Sequence, residues 1–272
     1  MTDELSYLNF LLAVALVLGP MMTRKFFLCN SRIYGFAHLI AFLVIAVGFT
    51  FSVHELYLIW AFFCLFGFLI FLRNNFSDLF NLKKLAECIP FVFSIIASIW
   101  LFSGANDLFL LGYNREWSYY AALHGNYLGW MLVGLFTIIS RAFWGRINTL
   151  YLTCAFVFLL LFLLIAFGID GVPYIKQIGT MGVVCMAPLL IGYYTFSLWQ
   201  SRRAPFYFSA ISFISILFTL YLAASNELRF LPPFVFLDVP SMVSLHGLIN
   251  GLVAIPSLYL ASYFDGRINE HT

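Results

Sequence analysis

The sequence predicts an all-α, polytopic membrane protein, a transmembrane bundle of about nine helices, and three observations lead there. Of 272 residues, 63% are hydrophobic and 10% charged, with a mean hydropathy of +0.96; a soluble domain is roughly half apolar and about 25% charged. The apolar residues gather into runs of spanning length, and the basic residues alternate between loops. This composition excludes a soluble enzyme, a nucleic-acid-binding domain and a disordered chain. The net charge of +2 carries no message about an anionic partner, because topology distributes the cations.

A helix needs roughly 20 apolar residues to cross about 30 Å of hydrocarbon. Nine such runs lie near residues 5–22, 33–53, 55–72, 88–103, 118–140, 150–168, 179–199, 205–224 and 241–263. The first follows an acidic Met1-Thr-Asp-Glu start, unlike the basic region that opens a signal peptide, and reads as a retained helix. Just a few residues around His54-Glu55 connect the second run to the third. Fusion of those two into a re-entrant hairpin would lower the count to eight. No extramembrane stretch is long enough to fold alone, so residues 1–272 read as one integral membrane domain.

Charge supports nine. The first, third, fifth and seventh loops and the tail hold Arg24, Lys25, Arg32, Arg73, Lys83, Lys84, Arg141, Arg146, Arg202, Arg203 and Arg267. Arg115, Lys176 and Arg229 fall one each in loops of the other side. Cytoplasmic loops carry the Lys/Arg excess, which puts the N-terminus outside and the C-terminus inside. The acids Asp3, Glu4, Glu55, Asp107, Glu116, Asp170, Glu227 and Asp238 then lie outside, and Asp78, Glu87, Asp265 and Glu270 inside. Tyr113, Trp117, Tyr119 and Tyr120 near one boundary, and Trp144 and Trp199 near the other, fit interfacial belts. The five scattered cysteines read as reduced structural thiols. The Asn75-Phe-Ser77 sequon falls in a cytoplasmic loop and is discounted.

Ionisable groups in hydrocarbon are expensive and mark function by default. Here they are His38, His124 and His246, with His54-Glu55 at a turn and no carboxylate deep in any span. His124 lies in Leu-His-Gly-Asn-Tyr-Leu-Gly and His246 in Leu-His-Gly-Leu-Ile-Asn-Gly. Both helices run inward, and each histidine lies roughly 9 Å below the outer interface at about 1.5 Å per residue. Tyr120 and Tyr127 share the His124 face, Asn250 shares that of His246, and Asn126 points away. No longer internal repeat is evident. Three roles stay open for the pair: helix contacts to backbone carbonyls, a polar cavity with proton relay or acid–base work, and axial ligation of haem or another metal. His38, near the inner end of its span with Tyr34 at i−4, reads as a satisfied or snorkelling side chain. Glu55 is the candidate carboxylate partner on the outer side.

Two outward loops precede the histidine helices, and each carries acids and an arginine. Asp107, Glu116, Glu227, Arg229 and Asp238 are the candidate gating or lid residues. Pro232-Pro233 prevents a continuous helix in the second loop.

The two elements, Leu123-His-Gly-Asn-Tyr-Leu-Gly-Trp130 and Met242-Val-Ser-Leu-His-Gly-Leu-Ile-Asn-Gly251, resemble the YndJ-like family of bacterial integral membrane proteins. There one helix carries a His followed by an aromatic and a Gly, and a later one carries His-Gly-x-x-Asn. Gly125-Asn126 departs from the first pattern. The resemblance implies a bacterial membrane protein, in places labelled a transporter, with no established chemistry. The leading expectation is a carrier in the bacterial cytoplasmic membrane for a small lipophilic or weakly polar molecule, bound by His124, Tyr120, Tyr127, His246 and Asn250. The alternative is a membrane-embedded isomerase, cyclase or hydrolase of a lipid or isoprenoid, with His124, His246 and Glu55 as acid and base. The third is a structural subunit or one binding haem through His124 and His246; otherwise no cofactor or metal is expected. The expected partners are the lipid bilayer and the small molecule, with no nucleic acid.

Overall fold

In lipid no water satisfies the backbone, so each apolar run pairs its own N–H and C=O groups as a helix. The computed structural model describes residues 2–170, 173–200, 203–230, 232, 235–236 and 239–269. Among the described residues nine helices are long and apolar enough to cross a membrane. The first four spans are α1 (Thr2–Phe26), α2 (Arg32–Phe51), α3 (Tyr57–Asn75) and α4 (Leu82–Ala105). The fifth joins α5 (Arg115–His124), a π-helix (Gly125–Val133) and α6 (Gly134–Ile139). Three regular spans follow, α7 (Gly145–Asp170), α8 (Pro173–Leu198) and α9 (Ala204–Leu228). The ninth joins α10 (Ser241–Ile249), a short π-helix (Asn250–Ala254) and α11 (Ile255–Phe264), with α12 (Gly266–Asn269) after it.

The second and third spans are separate helices. Ser52, at φ 55°, closes α2, and a single 3₁₀ turn over His54–Leu56 leads into α3. The span α4 starts earlier than its apolar run, because the Asn81 side chain accepts from the Lys83 N–H at 3.0 Å and caps it. Lys83, Lys84 and Glu87 are therefore helical rather than loop residues. Before α10, β1 (Val235–Phe236) and β2 (Val239–Pro240) pair antiparallel, a two-strand ladder the all-helical expectation did not include.

Contacts divide the chain into two compact units, Leu8–Gly134 and Met1–Tyr7 with Leu135–Thr272. In the first, α3 packs on α2 and α4, and α4 on α5 and its π-helix. Trp60, Trp130, Tyr34, Phe71 and Phe93 are fully buried there, and the Trp130 indole donates to Thr23 Oγ1 at 2.8 Å. In the second, α8 packs on α7 and α9, and α9 on α10, its π-helix and α11. Tyr151, Tyr194, Phe136 and Phe158 are buried there. Large apolar side chains such as Phe36, Leu189 and Phe196 stand exposed along the spans, as a lipid-facing surface requires.

Candidate functional site

His124 ends α5 and its Nδ1 lies 2.8 Å from the Tyr120 carbonyl oxygen. A carbonyl can only accept, so Nδ1 carries the hydrogen and Nε2 is the lone-pair nitrogen of the neutral ring. From the next residue the helix is π, which changes the register of the following side chains. Tyr127 sends its hydroxyl to the Leu11 carbonyl in α1, at 2.8 Å. The Tyr120 ring packs edge-on against Trp117, with centroids 5.7 Å apart. The expected face of His124, Tyr120 and Tyr127 is thus joined to His124 through the backbone of Tyr120, while the Tyr127 phenol reaches a neighbouring helix. Asn126 is buried and donates to Ala122 O at 2.8 Å.

His246 sits in α10, half-buried, with Nδ1 at 3.0 Å from the Thr219 carbonyl of α9. The same rule makes it an Nδ1–H donor. The buried Thr219 hydroxyl lies 2.9 Å from Asn250 Oδ1 and 3.2 Å from the Ile216 carbonyl. Its single proton serves one of these at a time. His246 and Asn250, predicted to share a face, therefore meet the same residue of the neighbouring helix. Asn250 is also where the span turns from α to π. Tyr7 donates to the carbonyl of Ser244, two residues before His246.

The loop residues resolve into pairs. Asp107 and Arg115 form an exposed bidentate ion pair. Glu116 stands exposed in the first turn of α5, where the helix dipole favours an acid. Glu227 pairs with Lys176 at 2.9 Å, its carboxylate only 9% exposed. Arg229 follows α9 at φ 55°. A cavity of about 600 Å³ opens beside that pair, lined by Lys176, Gln177, Glu227 and Arg229 among others; neither His246 nor Asn250 lines it. Asp238 lies outside the described residues. Glu55 is exposed, and among the described residues no hydrogen bond or ion pair joins it to His124. His38 donates Nε2–H to the Leu16 carbonyl at 2.9 Å, as a satisfied packing histidine does.

Two carboxylates read as inner-side loop acids are buried. Glu87 sits in the second turn of α4 against Lys84 at 3.0 Å, an i,i+3 pair that a Lys-Lys-x-x-Glu search on a capped helix start would have found. Asp265 accepts from the buried Tyr194 hydroxyl at 3.0 Å and from Arg267 at 2.7 Å. Arg267 also reaches Ser197 and lies over the Phe143 ring, 5.8 Å from its centroid. Burial alone would lower the Arg267 pKa, but hydrogen bonding and charge from Asp265 raise it above the usual arginine value. Among the described residues no group of three or more His, Cys, Asp or Glu is arranged to hold a metal ion.

With this geometry in view, the protein is a multi-pass, helical integral membrane protein. Comparison with protein-family models, with curated proteins and with solved structures finds no match.

Proposed function

We propose that the protein is a carrier in the bacterial cytoplasmic membrane for a small lipophilic or weakly polar molecule. The observation that carries this reading is the His246–Thr219–Asn250 cluster at the α-to-π transition of the ninth span. Polar side chains within a span are costly in lipid, and π-helical turns, which shift the register of the side chains beyond them, are frequent at functional sites. His124 immediately precedes the other π-helical stretch, with Tyr120 one turn before it and Tyr127 within that stretch. Asp107, Glu116, Glu227, Arg229 and Asp238 are the gating residues of this reading, and the resemblance of the two His-Gly elements to the YndJ-like family accords with it.

A second reading, a membrane-embedded isomerase, cyclase or hydrolase, is favoured by the Nδ1–H tautomer, which makes Nε2 of His124 and His246 a general base. Profiling of small molecules and lipids in cells and medium separately decides between them. A strain lacking the gene is compared with strains rescued by the natural protein or by His124→Ala with His246→Ala. A carrier redistributes one compound between cell and medium, and the double variant fails to restore it. One compound lost while a chemically related one accumulates would establish the enzyme and overturn the carrier.

A further inference from the structure

The structure supplies a register in which the short His-Gly echo becomes part of something longer. The interval from Leu82, which starts α4, to Ala204, which starts α9, equals that from His124 to His246. The same interval relates the left-handed residues that follow these helices, Asp107 at φ 52° and Arg229 at φ 55°. It also relates Gly129 to Gly251, and the span ends Ala142 and Phe264. Ser103 and Ser225 correspond and are both buried, as are Ser140 and Ser262. Each set continues into the same tetrapeptide, with the interval one residue shorter: Gly145-Arg-Ile-Asn148 and Gly266-Arg-Ile-Asn269.

Coincidences of Leu and Phe would mean little in a chain so rich in both. These fall on His, Gly, Ser, Arg and Asn, and on backbone events that composition does not control. Both sets end in a span that passes from α to π after its histidine, over Gly125–Val133, directly after His124, and over Asn250–Ala254, one turn beyond His246. Each packs that span on the helix before it, α4 or α9. The helix contact falls at the same place although the histidine partners differ: His246 meets the Thr219 carbonyl of α9 and His124 the Tyr120 carbonyl of its own helix, while at the same interval the residue matching Thr219 is Ala97, which packs against Gly125.

We infer that residues 82–142 and 204–264 are two copies of one membrane-spanning module, in which His124 and His246 are the same functional position, an imidazole whose Nε2 receives a proton or a hydrogen-bond donor. Both rings donate Nδ1–H to a main-chain carbonyl, whereas His38, outside the copies, donates Nε2–H. The inference stands apart from the carrier reading, since it concerns which residues act alike and not what they act on.

His-Gly occurs at no other place in the chain, so labelling with ¹³C,¹⁵N-histidine and ¹⁵N-glycine selects the two positions without mutation. Magic-angle-spinning NMR of the full chain in lipid bilayers should show two His-Gly systems, both with protonated Nδ1 and unprotonated Nε2 at neutral pH. Opposite tautomers would overturn the inference. In the rescue experiment, His124→Asn and His246→Asn should each shift the same compounds in the same direction, with His38→Asn as the control that shifts none. A shift from His246→Asn alone would overturn the equivalence and leave the carrier standing. The same substrate–product interconversion from both would keep the equivalence and remove the carrier. No shift from either would overturn the shared functional position.

Discussion

Thr219 shows how one hydroxyl organises a polar cluster in an apolar bundle. Its backbone carbonyl accepts from His246 and its side chain faces Asn250. Thr219→Ala keeps the first contact and removes the donor facing Asn250. Leaving a part-buried amide oxygen without its donor costs about 1–3 kcal/mol. Thermal unfolding in detergent should show that loss, with Thr219→Ser recovering most of it; equal losses from both variants would mean that the methyl matters and the hydroxyl does not. At the inner end, Asp265 is buried and holds Arg267 through two oxygens. Asp265→Asn strands a guanidinium that is 40% exposed and can still reach water. The expected cost is about 2 kcal/mol, between an exposed and a buried pair, read as a lowered unfolding midpoint. Of these residues His246 and Asn250 were legible in the sequence by their i,i+4 spacing. Thr219 was not, because a threonine in an apolar run announces no partner. Asp265 was hidden by its place in a polar tail.

Helix existence followed from hydropathy, and helix character did not. Nine apolar runs became nine spans, yet two of them turn π-helical within about a turn of their histidines. A π segment depends on how neighbouring helices fill the space around it, which periodicity along one strip of chain does not encode. Close packing explains one glycine. A Cβ on Gly125 would lie 2.9 Å from the Cβ of Ala97 in α4, so Gly125→Ala forces the fifth span and α4 apart. It should cost about 1–3 kcal/mol. Gly266, where a Cβ meets nothing within 4 Å, is the control, and Gly266→Ala should stay within about 0.5 kcal/mol of the natural protein. Equal effects at both positions would show that helix propensity and not packing decides. The boundary of α4 was misplaced for a related reason. Lys83, Lys84 and Glu87 look like a loop by hydropathy, but the Asn81 cap and the Lys84–Glu87 pair carry the helix through them.

For the whole molecule, the alternation of Lys and Arg assigns the N-terminus to the outside and the C-terminus to the inside. Impermeant maleimide tests this in a Cys29→Ser, Cys185→Ser background, which removes the two exposed native thiols. Cysteines placed at Glu116 and Tyr174, both exposed, should label in intact cells. Those at Phe80 and Trp144, also exposed, should label only after permeabilisation. Labelling of one residue from each pair in intact cells would overturn the nine-span alternation.

The sequence by itself determined the class of protein, the number of spans and the two histidine positions. These follow from properties summed along the chain: apolar length against bilayer thickness, charge per loop, and the rarity of imidazole in hydrocarbon. Only the tertiary structure decided which carbonyl each imidazole meets, that Thr219 joins His246 to Asn250, and that Glu87 and Asp265 are buried. Such contacts join residues far apart in sequence, and their energies depend on which helices are neighbours, a choice that many arrangements of nine similar apolar helices leave open until the side chains pack.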